Sequence, residues 1–109
     1  MKEMQETLHY EIFHDTLNQQ FYTEVDGNRA YVSYTVHDNA LDIRHTIVPD
    51  KIGGRGIASA LVKETYQYAL IVRLRPMATC AYAVTWLKRH PEYGGIVNDD
   101  CAGKSSCAL

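Results

Sequence analysis

The strongest chemical signal in this sequence lies between Val48 and Val62, where Gly53-Gly54-Arg55-Gly56 joins a β-patterned run to a helical one. Such a junction suits anions. Glycines let a ligand approach the backbone closely, and the unpaired N–H groups of the following helix face it with the positive end of the helix dipole. A phosphate or pyrophosphate is the natural guest. Cys80 is a second candidate, because it follows a short apolar segment and opens a second helical pattern. A thiol at a helix N-terminus loses its proton more readily and becomes a nucleophile, whereas a single cysteine more often serves as a small buried apolar side chain. The five histidines, His9, His14, His37, His45 and His90, stand singly, and no Cys or His pair has zinc-ligand spacing, so no metal site is expected.

Spacing narrows the glycine cluster. No Lys-Ser or Lys-Thr follows the last glycine, which excludes a P-loop. A dinucleotide fingerprint would require a third glycine and an acidic residue about 20 residues on, where Arg73 and Arg75 stand instead. What remains is a pyrophosphate loop of the acyl-coenzyme A type, or a tight strand-to-helix turn with no ligand at all.

The elements that position these residues follow from periodicity. Phe21, Thr23 and Val25 alternate with polar neighbours, Asp26-Gly27-Asn28 reads as a hairpin turn, and Ala30, Val32, Tyr34 and Val36 form one face of the next strand. A turn at His37-Asp38-Asn39-Ala40 leads to a third strand, with Leu41, Ile43, His45 and Ile47 on one face. From about Gly54 to about Val72 the apolar period becomes helical, through Ala58, Leu61, Val62, Thr65, Tyr66, Ala69 and Leu70. Leu74 to Thr79 suits a returning strand, which Pro76 makes an edge or irregular one. Ala81 to Arg89 suits a short helix that stops near Pro91. The expected fold is a compact α+β (α/β) domain, a mostly antiparallel sheet of about four or five strands with one long helix and a shorter C-terminal one. Residues 1–9 read as a flexible arm, 10–93 as the domain and 94–109 as a disordered tail rich in Gly, Ser and Asp.

Composition sets the outer bounds. With 109 residues, 46% hydrophobic and 22% charged, the chain makes one soluble domain, and a net charge of −2 argues against nucleic acid or anionic lipid as a partner. The longest apolar run, Tyr68 to Val72, is far short of a membrane span, and the polar start lacks a signal-peptide core, so a cytosolic monomer is expected. Cys80, Cys101 and Cys107 are an odd set without a disulfide framework, and Cys107 lies one place too late for prenylation.

The ordered set His45-Thr46, Gly53-Gly54-Arg55-Gly56-Ile57-Ala58, Thr79-Cys80-Ala81-Tyr82-Ala83 and His90-Pro91-Glu92-Tyr93 resembles the GNAT superfamily of N-acetyltransferases. The likeness is to its short, single-domain YjdJ-like branch and covers residues 10–93. The signature of that superfamily is Gln/Arg-x-x-Gly-x-Gly/Ala after a strand, and Gly53 stands at its first place. The resemblance implies acetyl-CoA as co-substrate, without a metal. The backbone of Ile47 and Val48 would pair with the pantetheine arm, and Gly53, Gly54, Arg55, Gly56, Ile57 and Ala58 would hold the pyrophosphate. At Gly53 a side-chain contact to the phosphates is missing, for which the charges of Arg55 and Lys51 would compensate. Cys80 is both a cofactor-contacting position and the nucleophile of a covalent alternative. Most of the superfamily instead transfers by direct attack of an amine, which needs a base, an oxyanion stabiliser and a proton for the leaving thiolate. His45 is then the candidate base and Tyr82 the candidate proton donor, while Trp86, Lys88 and Arg89 would border the cofactor. Against this N-acetyltransferase reading, with a small amine or lysine side chain as acceptor, stand an acyl-CoA-binding module without catalysis and a CoA-independent interaction domain.

Overall fold

Two-residue turns of left-handed conformation build the first half of the sheet. Asp26 and Gly27, with φ of 53° and 76°, join strand β2 (Gln20–Val25) to β3 (Asn28–His37). Asp38 and Asn39, with φ of 53° and 63°, join β3 to β4 (Ala40–Ile47). Turns of this hand match the twist of the strands they connect. The computed structural model describes residues 10–97, and a short β1 (Phe13–Asp15) completes an antiparallel set β1-β2-β3-β4. Helix α1 (Ile57–Ile71) then leads to β5 (Arg75–Ala78), and α2 (Ala81–Arg89) to β6 (Ile96–Val97). Both last strands run parallel to their neighbours in one six-stranded sheet of order β1-β2-β3-β4-β5-β6.

Both helices pack on the same face. Helix α1 crosses β2 to β5, α2 covers β4 to β6, and the two touch where Trp86 Nε1 donates to Ser59 Oγ at 3.1 Å. Between helices and sheet lie Phe21, Val32, Tyr34, Leu41 and Ile43 from the strands, against Ile57, Leu61, Val62, Tyr66 and Trp86. Each such side chain contributes about 1.5–3 kcal/mol on burial. Tyr66 also ties helix to sheet, because its hydroxyl donates to the Met77 carbonyl at 2.6 Å, and burial raises its pKa well above the usual phenol value. At the other edge, the ring of His14 stacks on Phe21 at 4.0 Å, meets Tyr68 edge-on at 4.5 Å, and shares a 2.5 Å hydrogen bond with the Tyr34 hydroxyl.

Three sequence expectations need correction. The sheet has six strands, because the expected tail begins too early: Gly95 packs its backbone against Leu87, where a Cβ would lie 2.7 Å from that side chain, and Ile96–Val97 pair with Met77 and Ala78. The rest of the expected tail and the expected arm lie outside the described residues. Strand β5 is interior despite Pro76. Arg75 and Thr79 donate to Asn39 and Ile43 of the β4 side, so the nitrogen of Pro76 faces the β6 side, where pairing begins only at Met77. The third correction concerns β4. Ser33 opposes His45 but Tyr34 opposes Ile43, so Arg44 is an extra residue in a β-bulge. Leu41 and Ile43 face the helices, but beyond the bulge that side passes to Thr46, opposite buried Val32, and His45 turns to the exposed face with Ile47.

Candidate functional site

The site forms where β4 and β5 part. Their last paired residues are Ile43 and Ala78, and the Ile43 carbonyl accepts from the N–H groups of both Thr79 and Cys80 at 3.1 Å. Thereafter β5 turns into α2 while β4 continues through Arg44, His45, Thr46 and Ile47, its β5-side edge unpaired with β5. An edge of this kind receives an extended ligand as an added strand would be received. Ile47 is exposed, and Val48 packs partly against the core.

From Val48 the chain passes through a short 3-10 turn at Asp50–Ile52 into the glycines. Gly54 and Gly56 have φ of 74° and 76°, a conformation that strains other residues by about 1–2 kcal/mol. Gly56 caps α1 without a side-chain bond, and the first turn carries no acidic residue, so the leading N–H groups and the positive end of the dipole are unopposed locally. Gly53 differs from both, with an extended backbone (φ −69°, ψ 162°) where an added Cβ would meet the Asp50 carbonyl oxygen at 3.4 Å and that of Pro49 at 3.9 Å, both ordinary contacts. The missing signature side chain is therefore not excluded by the backbone.

Arg55, expected to lend its charge to a phosphate, is engaged within the protein. Its Nη1 donates to Asp26 Oδ2 at 2.9 Å, across to the β2–β3 turn, and its carbonyl accepts from the Tyr10 hydroxyl at 2.6 Å. Between the first turn of α1 and α2 lies a cavity of about 210 Å³ lined by Ser59, Tyr82, Thr85, Trp86, Arg89 and His90. The His90 ring stacks on Trp86 at 3.9 Å, and its Nδ1 donates to the Trp86 carbonyl at 2.8 Å, which fixes the wall. Tyr82 is 41% exposed and lines this cavity rather than the core. Trp86 and Arg89 border the same space, and exposed Lys88 does not.

Cys80 caps α2 and is half-buried, its Sγ donating to Thr46 Oγ1 at 3.4 Å. The structure thus groups Cys80 with Thr46 on the helix side and places His45 on the opposite side of β4. Cys101 and Cys107 lie outside the described residues. Sequence reasoning quoted Thr46 only beside His45 and gave it no role, and it missed Ser59, since a hydroxyl in an alternating strand or a helix turn has no signal of its own. It also missed Asp42, which alternation assigns to the polar face and which is buried. Among the described residues no group of His, Cys, Asp and Glu is placed to hold a metal, and no helix is long and apolar enough to cross a membrane.

The fold, with β4 and β5 parting beside a glycine-capped helix N-terminus, is that of the superfamily the sequence resembles. The family model described as GCN5-related N-acetyl-transferase matches residues 20–96, and the chain belongs to that family. Among relatives, protein NATD1 of Bos taurus is 36% identical over 81 residues, 72% of each chain. NATD1 of Homo sapiens is 35% identical over the same length, again 72% of each. The NMR solution structure of a GCN5-like protein from Staphylococcus aureus superposes with a TM-score of 0.62 at 29% identity, covering 82% of this chain and 88% of that one.

Proposed function

We propose that this protein is a cytosolic, acetyl-CoA-dependent N-acetyltransferase that acts on a primary amine, either a small amine or a lysine side chain, by direct attack in a ternary complex. The observation that carries this reading is the parting of β4 from β5 immediately before the glycine-capped N-terminus of α1. One element offers an edge to an extended amide-bearing arm and the other offers N–H donors to a pyrophosphate. The backbone from Arg44 to Val48 would receive the arm, residues 53–58 the phosphates, and the cavity at Tyr82, Trp86 and Arg89 an adjoining part of the cofactor. In the transfer an amine lone pair attacks the thioester carbon, the C–S bond breaks, the thiolate takes a proton and the new amide nitrogen loses one. Tyr82, exposed on the first turn of α2, is the donor to the thiolate in this scheme. His45, on the open face of the sheet, takes the amine proton from the side opposite the helices. Cys80 acts through its contact with Thr46 at the mouth of the opening and forms no acyl intermediate.

Thermal unfolding with acetyl-CoA tests the binding half of this proposal. At a hundredfold excess over the dissociation constant, stabilisation of about 2.7 kcal/mol raises Tm by about 10–20 °C in a domain of this size. Gly56→Glu should remove the ligand-induced shift by placing bulk and negative charge at the phosphates. An unmoved Tm in the parent sinks the proposal. Thiol release with amines and lysine peptides tests the catalytic half, where binding without turnover selects the acyl-CoA-binding module and Cys80→Ala should retain full transfer.

A further inference from the structure

Asp42 holds the only buried carboxylate among the described residues, its side chain 2% exposed. Removing a charge from water costs several kcal/mol unless close partners return it, and here the return is thin. Oδ2 accepts one hydrogen bond, from the Thr79 hydroxyl at 2.9 Å, and the Arg44 guanidinium and the His37 ring stand at 3.8 and 3.9 Å, beyond hydrogen-bond distance. Oδ1 has no partner, nor does the hydroxyl of Thr35 directly across the β3–β4 ladder. A neutral residue of the same shape would fill this position more cheaply, so stability does not account for the carboxylate.

Its two nearest polar partners do account for it. Arg44 is the bulged residue that turns β4, and Thr79 is the residue at which β5 leaves the sheet. One buried charge is therefore attached to both sides of the opening at its narrow end. We propose that Asp42 is a positioning residue for acyl transfer, holding Arg44 and Thr79 so that the backbone of residues 44–47 keeps one geometry toward the opening. This role rests on the acyltransferase reading above. The glycine loop and the cavity beside α2 do not involve Asp42, so it acts on the reacting end of the site and leaves the phosphate end unchanged.

The isosteric Asp42→Asn removes the charge and keeps an acceptor for Thr79. In the full chain it should leave Tm equal or higher and the CoA dissociation constant within about threefold, while amide exchange at residues 44–47 accelerates about tenfold and α1 is unchanged. Thiol release from acetyl-CoA with a lysine peptide should slow about tenfold in kcat, with KM for acetyl-CoA within about threefold. Arg44→Gln should reproduce the exchange effect, and the double variant should be no worse than the worse single one. A fall in Tm of more than about 5 °C would assign Asp42 a merely structural role and overturn the proposal. Unchanged exchange at residues 44–47 in either variant would overturn it as well. Should the parent release no thiol, the acyltransferase reading fails, and the exchange and Tm measurements still decide the role of Asp42.

Discussion

Gly53→Arg should tighten CoA binding, against the usual expectation that glycines in a phosphate loop are irreplaceable. The backbone at Gly53 is extended, with φ of −69°, and a Cβ there makes only ordinary contacts, with the carbonyl oxygens of Asp50 at 3.4 Å and Pro49 at 3.9 Å. No strain opposes the substitution, and loss of glycine's freedom in the unfolded chain adds about 0.4–1 kcal/mol of stability. A guanidinium on the loop gains a charge-assisted bond to a phosphate, about 1.5–3 kcal/mol, less about 0.5–1.5 kcal/mol for immobilising the side chain. That balance spans about 0–2.5 kcal/mol, and its middle, about 1 kcal/mol, corresponds to a roughly fivefold lower Kd. Titration calorimetry with CoA measures it, and pantetheine, which has no phosphate, is the control. The gain should appear for CoA alone and shrink at high ionic strength. An unchanged Kd for CoA, or an equal gain for pantetheine, would refute the placement of the phosphates at residues 53–58.

Other perturbations test other parts of the molecule. Asp26→Asn releases Arg55 from an exposed ion pair worth about 0.2–1 kcal/mol and should tighten CoA by up to about fivefold; weaker binding would mean that the pair shapes the loop instead of competing with phosphate. Tyr66→Phe strips the Met77 carbonyl of its donor, and a cost of about 1–3 kcal/mol should lower Tm by about 5 °C or more with little effect on the phosphate end. Burial lowers the pKa of His14 below its ordinary 6.5, so the unfolded chain takes up that proton first. Its contribution is constant above that value and declines as the pH falls through it toward the folded pKa. Tm measured from pH 7.5 to 5 should show this decline, and His14→Gln should flatten it; an equal slope in the variant would place the acid sensitivity elsewhere.

Residues 10–97 were legible wherever structure follows from local chemistry. The turns at Asp26-Gly27 and Asp38-Asn39 need residues that accept positive φ, the period of α1 follows from its apolar stripe, and the glycine loop with its neighbours at His45, Cys80 and His90 led to the right family. Each of these signals is complete within one short stretch of chain, so the sequence by itself determined them. Pairing between distant segments decided the rest. The bulge at Arg44 depends on register with Ser33 and Tyr34, and that one extra residue moved His45 to the opposite face and put Thr46 beside Cys80. Pro76 is interior because the missing donor faces the side where β6 begins late, and Arg55 is engaged because a hairpin turn 29 residues away presents Asp26. Asp42 looks like any polar residue of an alternating strand until β5 and the bulge close around it. Alternation along a strand records which side a residue faces only while the ladder stays regular, and only the assembled sheet shows where it does not.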